Sequence, residues 1–220
     1  MNKFYFKRKS FTKQPAGQGL LEAMLAIGLI LVGLGAVLSL TLRNISAVAD
    51  SGQRIVAVNL AREAIDVVRG IRDSNWLAAS NSGPSRLWDD KLVPDNSGQG
   101  ARAVLNLPLL GPPATPVAFE IEFIDGRDVN DDSYKMYRDN VNHQWYQDTT
   151  ALKATGFNRM IWLDPVCKTA GVLAGVVGCG DTDTKIGIRV QVQVAWNASG
   201  IFGSVSKRQL TVEEYLYNWR

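Results

Sequence analysis

Residues 23–42 read AMLAIGLILVGLGAVLSLTL, twenty in succession without a charge. As a helix rising 1.5 Å per residue, this run covers about 30 Å, the thickness of a bilayer's hydrocarbon core. Ahead of it, residues 1–17 hold Lys3, Lys7, Arg8, Lys9 and Lys13 and no acid, leaving 19 of the 24 cations for the rest of the chain against all 21 acids. A basic flank of this kind predicts a cytoplasmic N-terminus and an exported remainder. A removable secretory signal has an apolar core of about 7–15 residues and a small-x-small cleavage site. Here the run is longer and no such site precedes Arg43-Asn44, so the segment reads as a retained anchor. The placement of the basic excess in a tail argues against nucleic-acid binding, which needs it on the folded part. One His and two Cys leave little for a zinc cluster or a His-based relay. We find no catalytic constellation, and the chain reads as a non-enzyme without a cofactor.

A plain anchor does not account for Pro15-Ala16-Gly17-Gln18-Gly19-Leu20-Leu21-Glu22, which puts one carboxylate inside the apolar segment. An ionised carboxylate at membrane depth is costly and calls for a partner, unless it snorkels at the interface near the helix N-terminus. A basic leader, then Gly17, four residues, Glu22 and an apolar helix resembles the type IV prepilin family, including its minor pilins and the pseudopilins of type II secretion. The resemblance implies cleavage by a prepilin peptidase between Gly17 and Gln18, N-methylation of Gln18, and pairing of Glu22 with the new N-terminal amine of a neighbouring subunit. A buried carboxylate and a buried ammonium are each costly alone and tolerable together. The chain departs from the family pattern at Gln18, where Phe is usual, and at Gly19, where Thr is common.

Beyond the membrane run, Val58, Ala61, Ile65 and Val68 form one row at helical spacing, and Leu60, Ala64, Val67 and Ile71 the adjacent one. Arg54, Arg62, Asp66, Arg69 and Asp73 occupy the opposite face. Arg62/Asp66 and Arg69/Asp73 are spaced i,i+4, and Asp66/Arg69 i,i+3. The expectation is a helix over 18–73, about 80 Å long, whose transmembrane part is 20–42 and whose second half is amphipathic. Residues 74–116 are rich in Ser, Asn, Gly and Pro and read as a long loop pinned by Trp76 and Trp88, with a short strand at 102–107.

After Pro116 the period switches to two. Strands are expected at 117–123, at 134–137 and 144–147 around a turn at Asp139-Asn140, at 157–163, and at 186–196, where Ile186, Ile188, Val190, Val192, Val194 and Trp196 alternate with mostly polar residues. A turn at 197–200 leads to a last strand over 205–212. The fold class is α+β: a pilin-like long N-terminal helix packed on a C-terminal antiparallel sheet. The expected domains are 1–17, a leader that is removed; 18–73, the helix; and 74–220, an extracytoplasmic globular part.

Cys167 and Cys179 suit a disulfide in an exported domain. Asp128, Asn130, Asp132 and Asp139 have the spacing of a calcium loop, but Ser133 stands where the sharp turn needs Gly, and Asp139 where a long bidentate Glu belongs; a solvated turn is the expectation. The resemblance implies a filament subunit, with other pilin subunits, the prepilin peptidase, the inner-membrane assembly machinery and membrane lipid as partners. It would begin as a single-pass membrane protein and pass into a periplasmic or extracellular filament. The alternative is an extracytoplasmic binding module or enzyme tethered by its helix, and a secreted protein with a cleaved signal is a third reading. A tether needs neither Gly17 nor Glu22.

Overall fold

The computed structural model describes residues 18–82, 87–93, 100–106, 119–124, 128–141, 143–147, 152–168, 176–180, 183–199 and 205–218. The leader, including Gly17, lies outside them. The chain divides into two compact units, 1–47 and 48–220. Helix α1 runs Gln18–Ser82.

In the first unit the described residues are all helical, and their large apolar side chains, Leu20 to Ile45, are exposed. This stretch is long and apolar enough to cross a membrane.

In the second unit, residues 48–82 of α1 meet a sheet whose described strands are β1 (Ala101–Asn106), β2 (Glu120–Phe123), β3 (Lys135–Arg138), β4 (Trp145–Gln147), β5 (Lys153–Lys168), β6 (Val176–Val177), β7 (Thr184–Ser199) and β8 (Val205–Tyr217). Every pairing is antiparallel. β5 is central. One edge of it carries β7 and then β8; the other is shared by β3, β1 and β6, with β4 beyond β3 and β2 beyond β1. The fold is therefore α+β, a long helix with a C-terminal antiparallel sheet.

The main core follows the two expected rows except at the start, where Ala57 and not Val58 is buried. Ala57, Leu60, Ala61, Ala64, Ile65 and Val68 are buried against Ile161 and Leu163 of β5, Ile188, Val190, Val192 and Val194 of β7, and Leu216 of β8. Small residues at 57, 61 and 64 let the helix approach the sheet closely. A smaller cluster of Val104, Val129, Tyr134, Met160 and Ala195 lies on the sheet's other face, so the central strands are covered on both sides.

Several boundaries need correction. The helix ends at Ser82, not Asp73. Residues 74–82 contain no Gly or Pro, and the stop comes with Gly83-Pro84. Trp76 is thus a buried helical residue, while Trp88 does pack against the core from the 87–93 segment. Nor does the expected Arg69/Asp73 ion pair form: Arg69 bonds Asp66 at 2.6 Å and Glu214 of β8 at 2.7 Å, and Asp73 takes Arg72 at 2.9 Å. Strand 157–163 extends to 153–168, β7 continues to Ser199 through the expected turn, and β8 to Tyr217. Of the strand expected at 117–123, only Glu120–Phe123 is described as strand.

Candidate functional site

Glu22 stands on α1 with Leu21, Met24 and Leu25 exposed around it, and among the described residues no hydrogen bond or ion pair engages it. Gln18 is the first described residue of the same helix. At membrane depth such a carboxylate calls for a partner, or snorkels to the interface.

The second unit holds a polar centre that sequence reasoning missed. Arg159 of β5 is 1% exposed. Its Nη1 donates to the Leu60 carbonyl and to Glu63 Oε2, each at 3.2 Å, and its Nε donates to Gln147 Oε1 at 3.1 Å. Gln147, also buried, donates from Nε2 to the Arg159 carbonyl at 2.6 Å and accepts from the Leu105 amide at 3.2 Å. Burial pushes the Arg159 guanidinium below its ordinary range, and the Glu63 charge pulls it back up. The network ties α1, β1, β4 and β5 together with no apparent route to chemistry. Its signal was available: in a strand, residues two apart share a face, so Arg159 falls on the side of Phe157, Ile161 and Leu163.

On the opposite face Asp164 accepts from Trp162 Nε1 at 2.5 Å and from Arg189 Nη2 at 2.5 Å, and Arg102 stacks on the Trp162 ring at 4.3 Å. Arg189 is held above its ordinary range, chiefly by its hydrogen bond to Asp164. Gly100 lies tight against this cluster: a Cβ there would lie 1.5 Å from Asp164 Oδ1, so a larger residue would displace that carboxylate. Arg69 is likewise raised, mainly by its hydrogen bond to Glu214.

A groove of about 1160 Å³ lies beside α1, lined by Glu63, Asp66, Val67, Ile71, Asp90 and Phe123 among others. Of its charged side chains, Glu63 is engaged by Arg159 and Asp66 by Arg69.

The calcium-type spacing is used for turns. Asp128 Oδ1 accepts from the amide and side chain of Asn130, at 3.0 and 2.9 Å, and the backbone bond holds its carboxyl below the usual range. Asp131 caps a short 3₁₀ turn, Asp132 faces Lys135 at 3.3 Å, and Asp139 accepts from the Val141 amide at 2.8 Å. Among the described residues no three His, Cys, Asp or Glu side chains gather as a metal site. His143 is exposed, at φ 59° in the β3–β4 hairpin.

Cys167 and Cys179 are joined, with Cα atoms 5.5 Å apart. The bridge fastens the end of β5 to the segment after β6, where Val166 and Cys167 pair with Val177 and Val176. Replacing both cysteines with Ser is expected to cost about 2–4 kcal/mol by chain entropy and, because the loop closed is short, to leave β5 and β7 paired. Denaturant titration with far-UV circular dichroism checks both; unchanged stability would contradict the first expectation and lost strand signal the second.

Against these sites, comparison with known proteins adds no assignment: no family model, no curated protein and no solved structure matches this chain.

Proposed function

We propose that the chain is a minor pilin or pseudopilin, a pilin-like structural subunit of a type IV pilus or a type II secretion-like filament. One observation carries the reading: Glu22, unpaired among the described residues, sits on an exposed apolar helix, five residues after Gly17 in a chain whose leader is basic. In the proposal a prepilin peptidase cuts between Gly17 and Gln18, the new terminus is methylated, and the helix holds the subunit in the inner membrane with residues beyond it outside the cytoplasm. The assembly machinery then moves it from lipid into the filament, where Glu22 meets the ammonium of a neighbour's Gln18. The α+β fold and the bridge between Cys167 and Cys179 support this reading, the bridge because it suits an oxidising compartment.

Glu22→Leu tests it. Insertion into the membrane becomes easier, because a costly carboxylate is gone. Incorporation into filaments falls about a hundredfold or more, since removing one partner of a buried pair costs roughly 3–5 kcal/mol. Immunoblots of sheared filament and membrane fractions give both readouts. Wild-type incorporation would reduce Glu22 to an interfacial residue and return the chain to the reading of a tethered binding module.

A further inference from the structure

We propose that β8 pairs edge to edge with β8 of a second copy of this chain, antiparallel and about a two-fold axis at Leu210. Among the described residues β8 bonds only β7, so half of the amides and carbonyls of a 13-residue strand face away from the sheet. Edges are ordinarily kept short or guarded by charged side chains, Lys above all. This one is long, and its charges are ordered: Lys207 and Arg208 near the start, Glu213 and Glu214 near the end.

Antiparallel pairing of identical strands in one continuous sheet requires facing residues to lie on the same side. Centred on Leu210, the register sets Lys207 opposite Glu213, Gln209 opposite Thr211, and Val205 opposite Tyr215, each pair occurring twice. All six are exposed, and Val205 and Tyr215 are among the large apolar side chains left in water. The register centred on Thr211 would instead ask Glu214 to take Arg208, although Arg69 holds both Glu214 oxygens at 2.7 and 2.8 Å, whereas Glu213 accepts from Gln191 only at 3.4 Å. Parallel pairing in register would oppose Lys207 to Lys207. Charge complementarity therefore selects both the orientation and the axis.

The axis stands perpendicular to the sheet, so it also reverses residues 48–82 of α1, which pack on that sheet. The sheet domains of the two copies are thus antiparallel to one another. The inference rests on β8 and does not depend on cleavage at Gly17.

The test uses the full chain in detergent micelles, where either orientation is free to form, with mass measured by light scattering across a dilution series. Wild type is expected to dimerise. Lys207→Glu weakens the dimer about tenfold by opposing like charges twice, and Lys207→Glu with Glu213→Lys restores it. A second readout leaves the charges intact. Chains carrying Gln209→Cys, mixed with chains carrying Thr211→Cys and oxidised, form a mixed disulfide, because directly opposed strand residues lie within bridging distance. A monomeric wild type, assemblies larger than dimers, a dimer indifferent to Lys207→Glu, or absence of the mixed disulfide would each overturn the proposal.

Discussion

Glu63→Leu is expected to destabilise the second unit by about 3 kcal/mol, although Glu63 is itself 35% exposed. The cost arises at the other end of the pair. Arg159 is buried, and without Glu63 its positive charge is left with neutral partners, the Leu60 carbonyl and Gln147. Breaking a buried pair at one end costs roughly 3–5 kcal/mol, and the third of Glu63 that remains in water places this case at the low end. Arg159→Met should cost less, about 1–2 kcal/mol, since the remaining carboxylate reaches solvent and the thioether fills much of the vacated space. The double variant should be more stable than Glu63→Leu alone, because no unpaired charge remains. Denaturant unfolding of all four proteins, followed by tryptophan fluorescence, gives the cycle. Additive costs would mean that the pair contributes no coupling and that Arg159 is held by Gln147 and the backbone alone.

Gly17→Leu is expected to abolish processing and leave the full-length precursor in the membrane. In the proposed reading the peptidase accepts a residue without a Cβ immediately before the cut, and a branched side chain crowds that position. The apolar helix is untouched, so insertion should proceed normally, which separates this variant from one that merely fails to reach the membrane. Blots of membrane fractions distinguish the two lengths. A mature product of wild-type size would place the cut elsewhere.

The parts of the fold that could be read from sequence are those where one period governs a long run. Val190, Val192 and Val194 alternate without interruption, and the strand around them lies where alternation puts it, with those three fully buried. The helical rows likewise face the sheet from Leu60 to Ile71 as their spacing requires, Val58 excepted. Misreadings arose where composition stood in for geometry. Residues 74–82 are polar enough to resemble a loop, yet they continue the helix because Trp76 is buried and Asn75 donates to the Asp90 carbonyl at 2.8 Å.

β5 runs past the expected end at Leu163 to Lys168, with Pro165 inside it. Pro165 is accommodated because its carbonyl accepts from the Gly178 amide. The missing N–H therefore faces the edge shared by β1 and β6, between their paired residues, and no bond to β7 is lost. Arg159 was overlooked for a different reason. A charge at a core position is rare, and a single strand does not reveal that Glu63 and Gln147 will converge on it from α1 and β4. Of the candidate site residues, Glu22 stands out by the oddity of a carboxylate in an apolar run, and the cysteine pair by lying in a domain expected to be exported.

The central claim is that this chain is cut after Gly17 and keeps its apolar helix. Intact mass and N-terminal peptide mapping of the wild-type chain, recovered from membranes and from any sheared filament fraction, test it directly. The account predicts a mature protein beginning at Gln18, with one methyl group on its terminal amine and Glu22 as its fifth residue. A chain retaining its initiating Met1 would identify an uncleaved tether, and a start beyond residue 42 would identify a secreted protein; either result contradicts the account.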